Sequence, residues 1–210
     1  MRGWVLACAA VVAAGATFVP GALADSEEEE KGKGAVLDVE QRHVASIPRG
    51  GTLVIRPFST EGTDFGTGGE GGKEKRVEAA AKLRAEAPGL LAEAAKGEVT
   101  EARTFSKVLI DPTAKPPAGA LVLEGRFVKI DPGSRAKRLL IGFVGSSGVT
   151  VEGRLLAADG KVLADFKHTR HSIMGVYGGD YVKLLSRDAR DIGEDIGKFL
   201  IDFAGATPER

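Results

Sequence analysis

The sequence predicts an α+β domain: a mixed, mostly antiparallel sheet of about five strands with two helices packed on one face. Three observations point there. A short β-branched run, Thr52-Leu53-Val54-Ile55, sits between Gly50-Gly51 and Pro57. Two alternating arms between Gly148 and Arg170 flank Asp159-Gly160, a pair suited to a hairpin turn. Leu185, Ala189, Ile192, Ile196, Phe199 and Phe203 make one continuous helical stripe.

The first segment, 1–24, has the layout of a secretory signal peptide. Arg2 precedes an apolar stretch from Trp4 to Val19, Pro20-Gly21 breaks it, and Ala22-Leu23-Ala24 supplies the small-x-small pattern before Asp25. Cleavage is expected after Ala24. The apolar run is shorter than the roughly 20 residues a membrane-spanning helix needs, so the mature chain is expected to carry no transmembrane segment. Val5-Leu6-Ala7-Cys8 loosely resembles a lipid-attachment site, but almost no apolar stretch precedes Cys8. That cysteine is the only one, and it leaves with the signal. The expected product is a thiol-free protein, periplasmic or secreted, that folds without disulfides.

Residues 25–44 read as a solvated tail, because Glu27 to Glu30 and Lys31-Gly32-Lys33-Gly34 have little to bury. Adjacent carboxylates without a ligand loop make a poor calcium cage. A single domain is expected over 45–204, with 205–210 as a C-terminal tail. A chain of this size can bury roughly 70% of its unfolded surface. Without Arg2 the net charge is about −1, which argues against bulk nucleic-acid binding.

Within the domain, Thr52 to Phe58 is the first strand and Ser59 to Gly72 a glycine-rich loop. Lys73 to Lys96 reads as helical, with Val77, Ala80, Leu83, Ala87, Leu90 and Ala94 on the apolar side and a kink or restart at Pro88. Ala102 to Ile110 and Ala120 to Ile130 are strands, separated by a proline-rich loop. Asp131-Pro132-Gly133-Ser134 fits a type II turn, and Leu139 to Val144 begins a further strand. In the hairpin, Val149, Val151 and Leu155 share one face, and Val162, Ala164 and Phe166 share one face of the second arm. Asp180 caps a helix from Tyr181 to about Phe203. Gly193 and Gly197, one turn apart, imply close approach to another backbone. That contact is expected with the sheet; a helix contact between two copies is the alternative.

Leu123-Glu124-Gly125-Arg126, then Asp131-Pro132-Gly133-Ser134-Arg135-Ala136-Lys137-Arg138, then Gly142-Phe143-Val144-Gly145 and the hairpin through Leu163 resemble the bacterial domain-of-unknown-function 4410 family. The likeness runs from about Leu53 to the end of the last helix. It implies an exported bacterial envelope protein, often a lipoprotein, and brings no established activity and no catalytic residues.

The chain offers little recognisable chemistry. His168 and His171 are three apart on a strand, so they fall on opposite faces and do not share a metal; with His43 they read as surface histidines. Gly145-Ser146-Ser147-Gly148 precedes a strand, which defeats both a nucleophile elbow and a phosphate loop. Asp64-Phe65-Gly66 copies a kinase motif without the rest of a kinase. No cofactor is expected. The leading expectation is a non-enzymatic binding or assembly-accessory protein of the envelope, whose partner is another envelope component or a second copy. The alternative is a small-molecule or phosphate site built on Arg135, Lys137 and Arg138, which follow the Asp131-Pro132-Gly133 turn.

Overall fold

The computed structural model describes residues 36–66, 73–111, 113, 115–132, 147–172 and 180–205. They form the expected α+β class, with six strands where about five were expected. The strands are β1 (Val39–Arg42), β2 (Thr52–Ile55), β3 (Lys107–Ile110), β4 (Leu121–Asp131), β5 (Ser147–Ala157) and β6 (Val162–Ser172). The helices are α1 (Lys73–Glu101) and α2 (Tyr181–Gly205). Sheet order is β1-β6-β5-β4-β2-β3. β2 pairs parallel with both β3 and β4, and every other pair is antiparallel.

β1 lies inside the 25–44 run that composition assigns to a tail. It carries no apolar period because its two inward residues are Glu40 and Arg42. Arg42 bonds Asp202 of α2 at 2.7 Å and lies 4.9 Å from the centroid of the Phe203 ring, so its charge and its stem are both used. Leu37, just before β1, is fully buried and fixes the approach of the chain.

The hairpin is where the sequence placed it. Its turn is a three-residue one: Gly160 donates to Ala157, Ala157 donates to Lys161, and Gly160 alone takes a positive φ of 88°. An irregularity follows. Leu155 faces Ala164 but Leu156 faces Val162, so Leu163 is an extra residue in β6. Val149, Val151 and Leu155 share the core face as expected, and so do Ala164 and Phe166. Val162 does not: the bulge turns it to the opposite face, against Val54, Val122 and Leu156. A second bulge at Val128 of β4 lets Phe127 and Ile130 both reach the core despite their odd spacing.

α1 runs unbroken through Pro88 to Glu101, beyond its expected end at Lys96, and the strand expected from Ala102 begins only at Lys107. Proline removes one hydrogen bond, but Ala79, Leu83, Ala87, Leu91, Ala95 and Val99 bury a line of side chains at four-residue steps. This stripe shares only Leu83 and Ala87 with the expected one. Val77 is 62% exposed, because an alanine-rich helix has several similar faces and tertiary contact selects one. The helix ends with Arg103 at φ 53°, Arg103 donating to Thr100 and Thr104 donating to Val99, a left-handed cap that normally takes glycine.

Asp180 caps α2 as expected, its Oδ1 accepting from the amides of Val182 at 3.0 Å and Lys183 at 3.2 Å. All six residues of the α2 stripe are fully buried. The two glycines correct the expectation about their neighbour. A Cβ at Gly193 would strike the Leu91 carbonyl oxygen and come within 2.9 Å of Ala94 Cβ, and one at Gly197 would strike the Glu98 side chain. Their close neighbour is α1 of the same chain, so neither the sheet nor a second copy occupies that surface. Both helices therefore cover one face of the sheet.

The parallel crossovers β2–α1–β3 and β3–β4 move in opposite directions across the sheet. The right-hand rule sends them to opposite faces, in keeping with the complete burial of Val54 on the side away from the helices.

Glycine-to-alanine substitution on the two helices should separate packing from propensity. Gly193→Ala is expected to cost about 1–3 kcal/mol, because the obstacle is backbone. Gly89→Ala on α1, where a Cβ meets nothing within 4 Å, should gain about 0.5–1 kcal/mol. Urea unfolding of both variants checks the opposite signs.

Candidate functional site

Two polar surfaces are built by this fold. The first is a seam between β6 and α2. Along the helix-side face of β6 the residues run Ala164, Phe166, His168, Arg170, Ser172: an apolar half, then a polar half. The polar half faces α2, where Asp188 and Asp195 lie two turns apart on one side. His168 is 3% exposed, and its Nε2 lies 2.9 Å from Asp195 Oδ2. Arg170 brings Nη2 to 2.5 Å from the same oxygen. Further along, Ser172 Oγ donates to Asp188 Oδ1 at 2.5 Å, and Ser147 Oγ donates to the Ser172 carbonyl at 2.8 Å.

The two aspartates respond oppositely. Burial opposes ionisation of Asp195, but the hydrogen bond from His168 and the charge and hydrogen bond of Arg170 outweigh it and hold the carboxyl below its usual range. At Asp188 burial wins over the Ser172 hydrogen bond, and the carboxyl is pushed up. Its Oδ2 is buried with no hydrogen-bond partner.

His168 was expected at the surface and is instead buried. The missed signal was the company it keeps: inner-face neighbours two residues either side in β6, and an i, i+7 aspartate pair on the facing helix. His171 is exposed on the opposite face of β6. His43 is about one-third exposed and pairs with Asp165 at 2.7 Å. The three histidines are not brought together, and among the described residues no group of three metal-ligating side chains converges.

The second surface is the sheet face opposite the helices. A shallow groove of about 550 Å³ lies there, lined among others by Arg56, Glu124, Arg126, Glu152, Arg154 and Asp165. Its charges alternate along and across the strands. Glu124 takes Arg56 at 2.6 Å and Arg154 at 2.7 Å; Glu152 takes Arg126 at 2.8 Å and Lys167 at 3.4 Å. Burial disfavours the Glu124 carboxylate, yet hydrogen bonds from Arg154 and Arg56 keep it below the usual range; at Glu152 the Arg126 bond does the same. Beneath the groove, Gly125 and Gly153 are cross-strand partners, and the rings of Phe58 and Phe166 occupy the space their side chains would fill on the core side.

Of the residues singled out from sequence, Arg135, Lys137 and Arg138, the type II turn, the strand expected from Leu139 and most of the glycine segment lie outside the described residues. So do Ala22, Ala24 and Asp25. Among the described residues no helix is long and apolar enough to cross a membrane.

A family model described as "Domain of unknown function (DUF4410)" matches residues 37–176, so the match takes in β1 and stops short of α2. A comparison with curated proteins finds no match. Among solved structures, the PelC dodecamer from Paraburkholderia phytofirmans is similar at 13% identity and a TM-score of 0.40, covering 76% of this chain and 95% of that one. Protein XCC0632 from Xanthomonas campestris, of the DUF330 family, is similar at 9% identity and a TM-score of 0.46, covering 79% of this chain and 91% of that one.

The seam predicts opposite pH behaviour for two conservative variants. Asp195 has a folded carboxyl below its unfolded range, so its stabilisation is present above about pH 4 and is lost as pH falls through the folded value. Asp195→Asn should cost about 2–3 kcal/mol at pH 7 and flatten that acid limb. Asp188 is the reverse: its folded carboxyl is raised, so the stabilisation it gives is complete below its unfolded value and lost as pH rises through the folded one. Asp188→Asn should leave stability at pH 7 unchanged or raised by up to about 1 kcal/mol. Denaturant titrations from pH 3 to pH 8 check both.

Proposed function

The chain belongs to the DUF4410 family, a domain of unknown function, and on that premise we propose that it is an exported envelope protein that acts by binding another envelope component through the open face of its sheet. The observation that carries this reading is the one-sided placement of the helices. It leaves a broad charged groove facing outward, with its side chains held in fixed pairs. A fixed array of alternating charges selects partners by pattern, since a mismatched charge has no counterpart to meet.

The seam supports a binding role over a catalytic one. Ser172 is tied to Asp188 and His168 to Asp195. The serine lies four positions along the strand from the histidine, roughly 13 Å at 3.3 Å per residue, so no serine–histidine relay forms between them. The balanced charge supports a protein partner over a nucleic acid. Export is supported by the signal-peptide layout of residues 1–24.

Two measurements test the proposal. A photo-crosslinking residue placed at Arg126 or Lys167 in living cells should capture a discrete envelope protein, and one at Lys82 on the exposed side of α1 should not. Capture at Lys82 alone, or at none of the three, removes the reading. The native protein should begin at Asp25 in the envelope fraction; an intact Met1 terminus in the cytoplasm removes export.

A further inference from the structure

We propose that β3, at one edge of the sheet, pairs antiparallel with β3 of a second copy of this chain, so that two sheets join into one. The proposal goes beyond the partner groove and does not depend on it.

The two edges of the sheet differ in how they are guarded. At the β1 edge, Glu40 and Arg42 point inward, a device that discourages a further strand. β3 has no such guard. Val108, Leu109 and Ile110 are consecutive apolar residues, each partly buried, with no bulge and no proline among them. Among the described residues no strand lies outside β3.

The main chain identifies the groups this edge offers. The Asp111 amide donates to the Ile55 carbonyl at 3.1 Å. Main-chain groups alternate in direction along a strand, so Leu109 also faces β2, while the N–H and C=O of Val108 and Ile110 face outward. Antiparallel pairing uses such groups directly, because two opposite residues exchange both hydrogen bonds.

One self-pairing register satisfies them all. With Leu109 opposite Leu109 of the second copy, Val108 lies opposite Ile110 in both halves, and each such pair exchanges two bonds. Sliding two residues one way sets Ile110 opposite Ser106, whose amide is already given to the Gly51 carbonyl at 3.0 Å. Sliding the other way sets Val108 opposite Pro112, which has no amide to give. A one-residue slide sets an outward-facing main chain opposite an inward-facing one.

The same register matches the side chains. Lys107 of each copy lies opposite Asp111 of the other, on the sheet face away from the helices. Leu109 meets its own counterpart there, beside Val54. On the helix side Val108 meets Ile110, both already packed against the core. Asp111 Oδ1 accepts from Thr113 N at 2.8 Å and from Thr113 Oγ1 at 3.0 Å. A carboxylate has about four acceptor sites, so an ammonium joins these bonds rather than replacing them. Lys107-Val108-Leu109-Ile110-Asp111 is thus self-complementary in charge, in apolar contact and in hydrogen bonding, which argues for a second copy over an unrelated strand. So short an interface makes a transient pair, with a dissociation constant between about 1 μM and 1 mM.

Sedimentation equilibrium of the purified protein over that range should show monomer and dimer in exchange. Lys107→Asp, at an exposed position, should weaken the dimer at least about tenfold, and so should Asp111→Lys. An equal mixture of the two variants should pair about as well as the original, because each charge then meets its opposite. In a Cys8→Ala background, oxidation should join Leu109→Cys to itself, since the opposed Cα atoms lie about 4.5 Å apart, within disulfide reach. Ser106→Cys, displaced from its counterpart by about 20 Å of strand, should stay unjoined. A monomer at all concentrations up to about 1 mM overturns the proposal. So does self-association that Lys107→Asp leaves unchanged, or a disulfide that forms equally at 106 and 109. A Leu109→Cys that couples to another protein and not to itself also overturns it, and assigns the edge to an unrelated strand. Lys107→Asp and the disulfide at 109 decide the question even where Asp111→Lys disturbs the Thr113 turn.

Discussion

The close approach of two helix backbones governs this structure. Gly193 and Gly197 place α2 against the Leu91 to Glu98 stretch of α1 without side chains between them. The same helix presents Leu185, Ile192, Ile196, Phe199 and Phe203 to the core, each of which stabilises burial by roughly 1.5–3 kcal/mol. With larger residues at 193 and 197, the helices would spread and the stripe would lift from the sheet. Because they stay close, one sheet face carries both, and the other is left to a crossover loop and a field of paired charges.

That division also explains where the polar chemistry lies. β6 runs along α2 far enough to meet two aspartates that flank the apolar stripe of the helix. Its first half meets Phe199, and its second half meets Asp195 and Asp188. Burying charge there is tolerated because Asp195 has both His168 and Arg170. At Asp188 burial outweighs the Ser172 hydroxyl and the Arg187 charge, and the carboxyl is pushed up. The seam is thus a set of ties between strand, helix and the edge strand β1.

Much of this was legible in the sequence where one local rule dominates. The α2 stripe, its Asp180 cap and the Asp159-Gly160 hairpin follow from periodicity and turn chemistry alone. The departures arise where long-range contact decides. Glu40 and Arg42 face inward because α2 supplies Asp202 and aromatic rings, so β1 has no apolar alternation to read. Leu163 is an extra residue whose insertion reverses Val162, and nothing in an apolar run marks which residue bulges. The α1 stripe rotated because alanine fits any face. His168 looked like a surface histidine because its partners lie at positions 38 and 195, distant in the chain.

The alternating charges on the open face carry a kinetic consequence. Neighbouring charges of opposite sign cancel one another's potential within a few ångströms, well inside the Debye length of about 8 Å at physiological salt. A molecule approaching from solution feels almost no attraction until it touches. Association at such a surface proceeds at the unsteered rate of about 10⁵–10⁶ M⁻¹s⁻¹ and changes little with ionic strength. The encounter rate at this face is therefore one that the salt of the surrounding medium does not set.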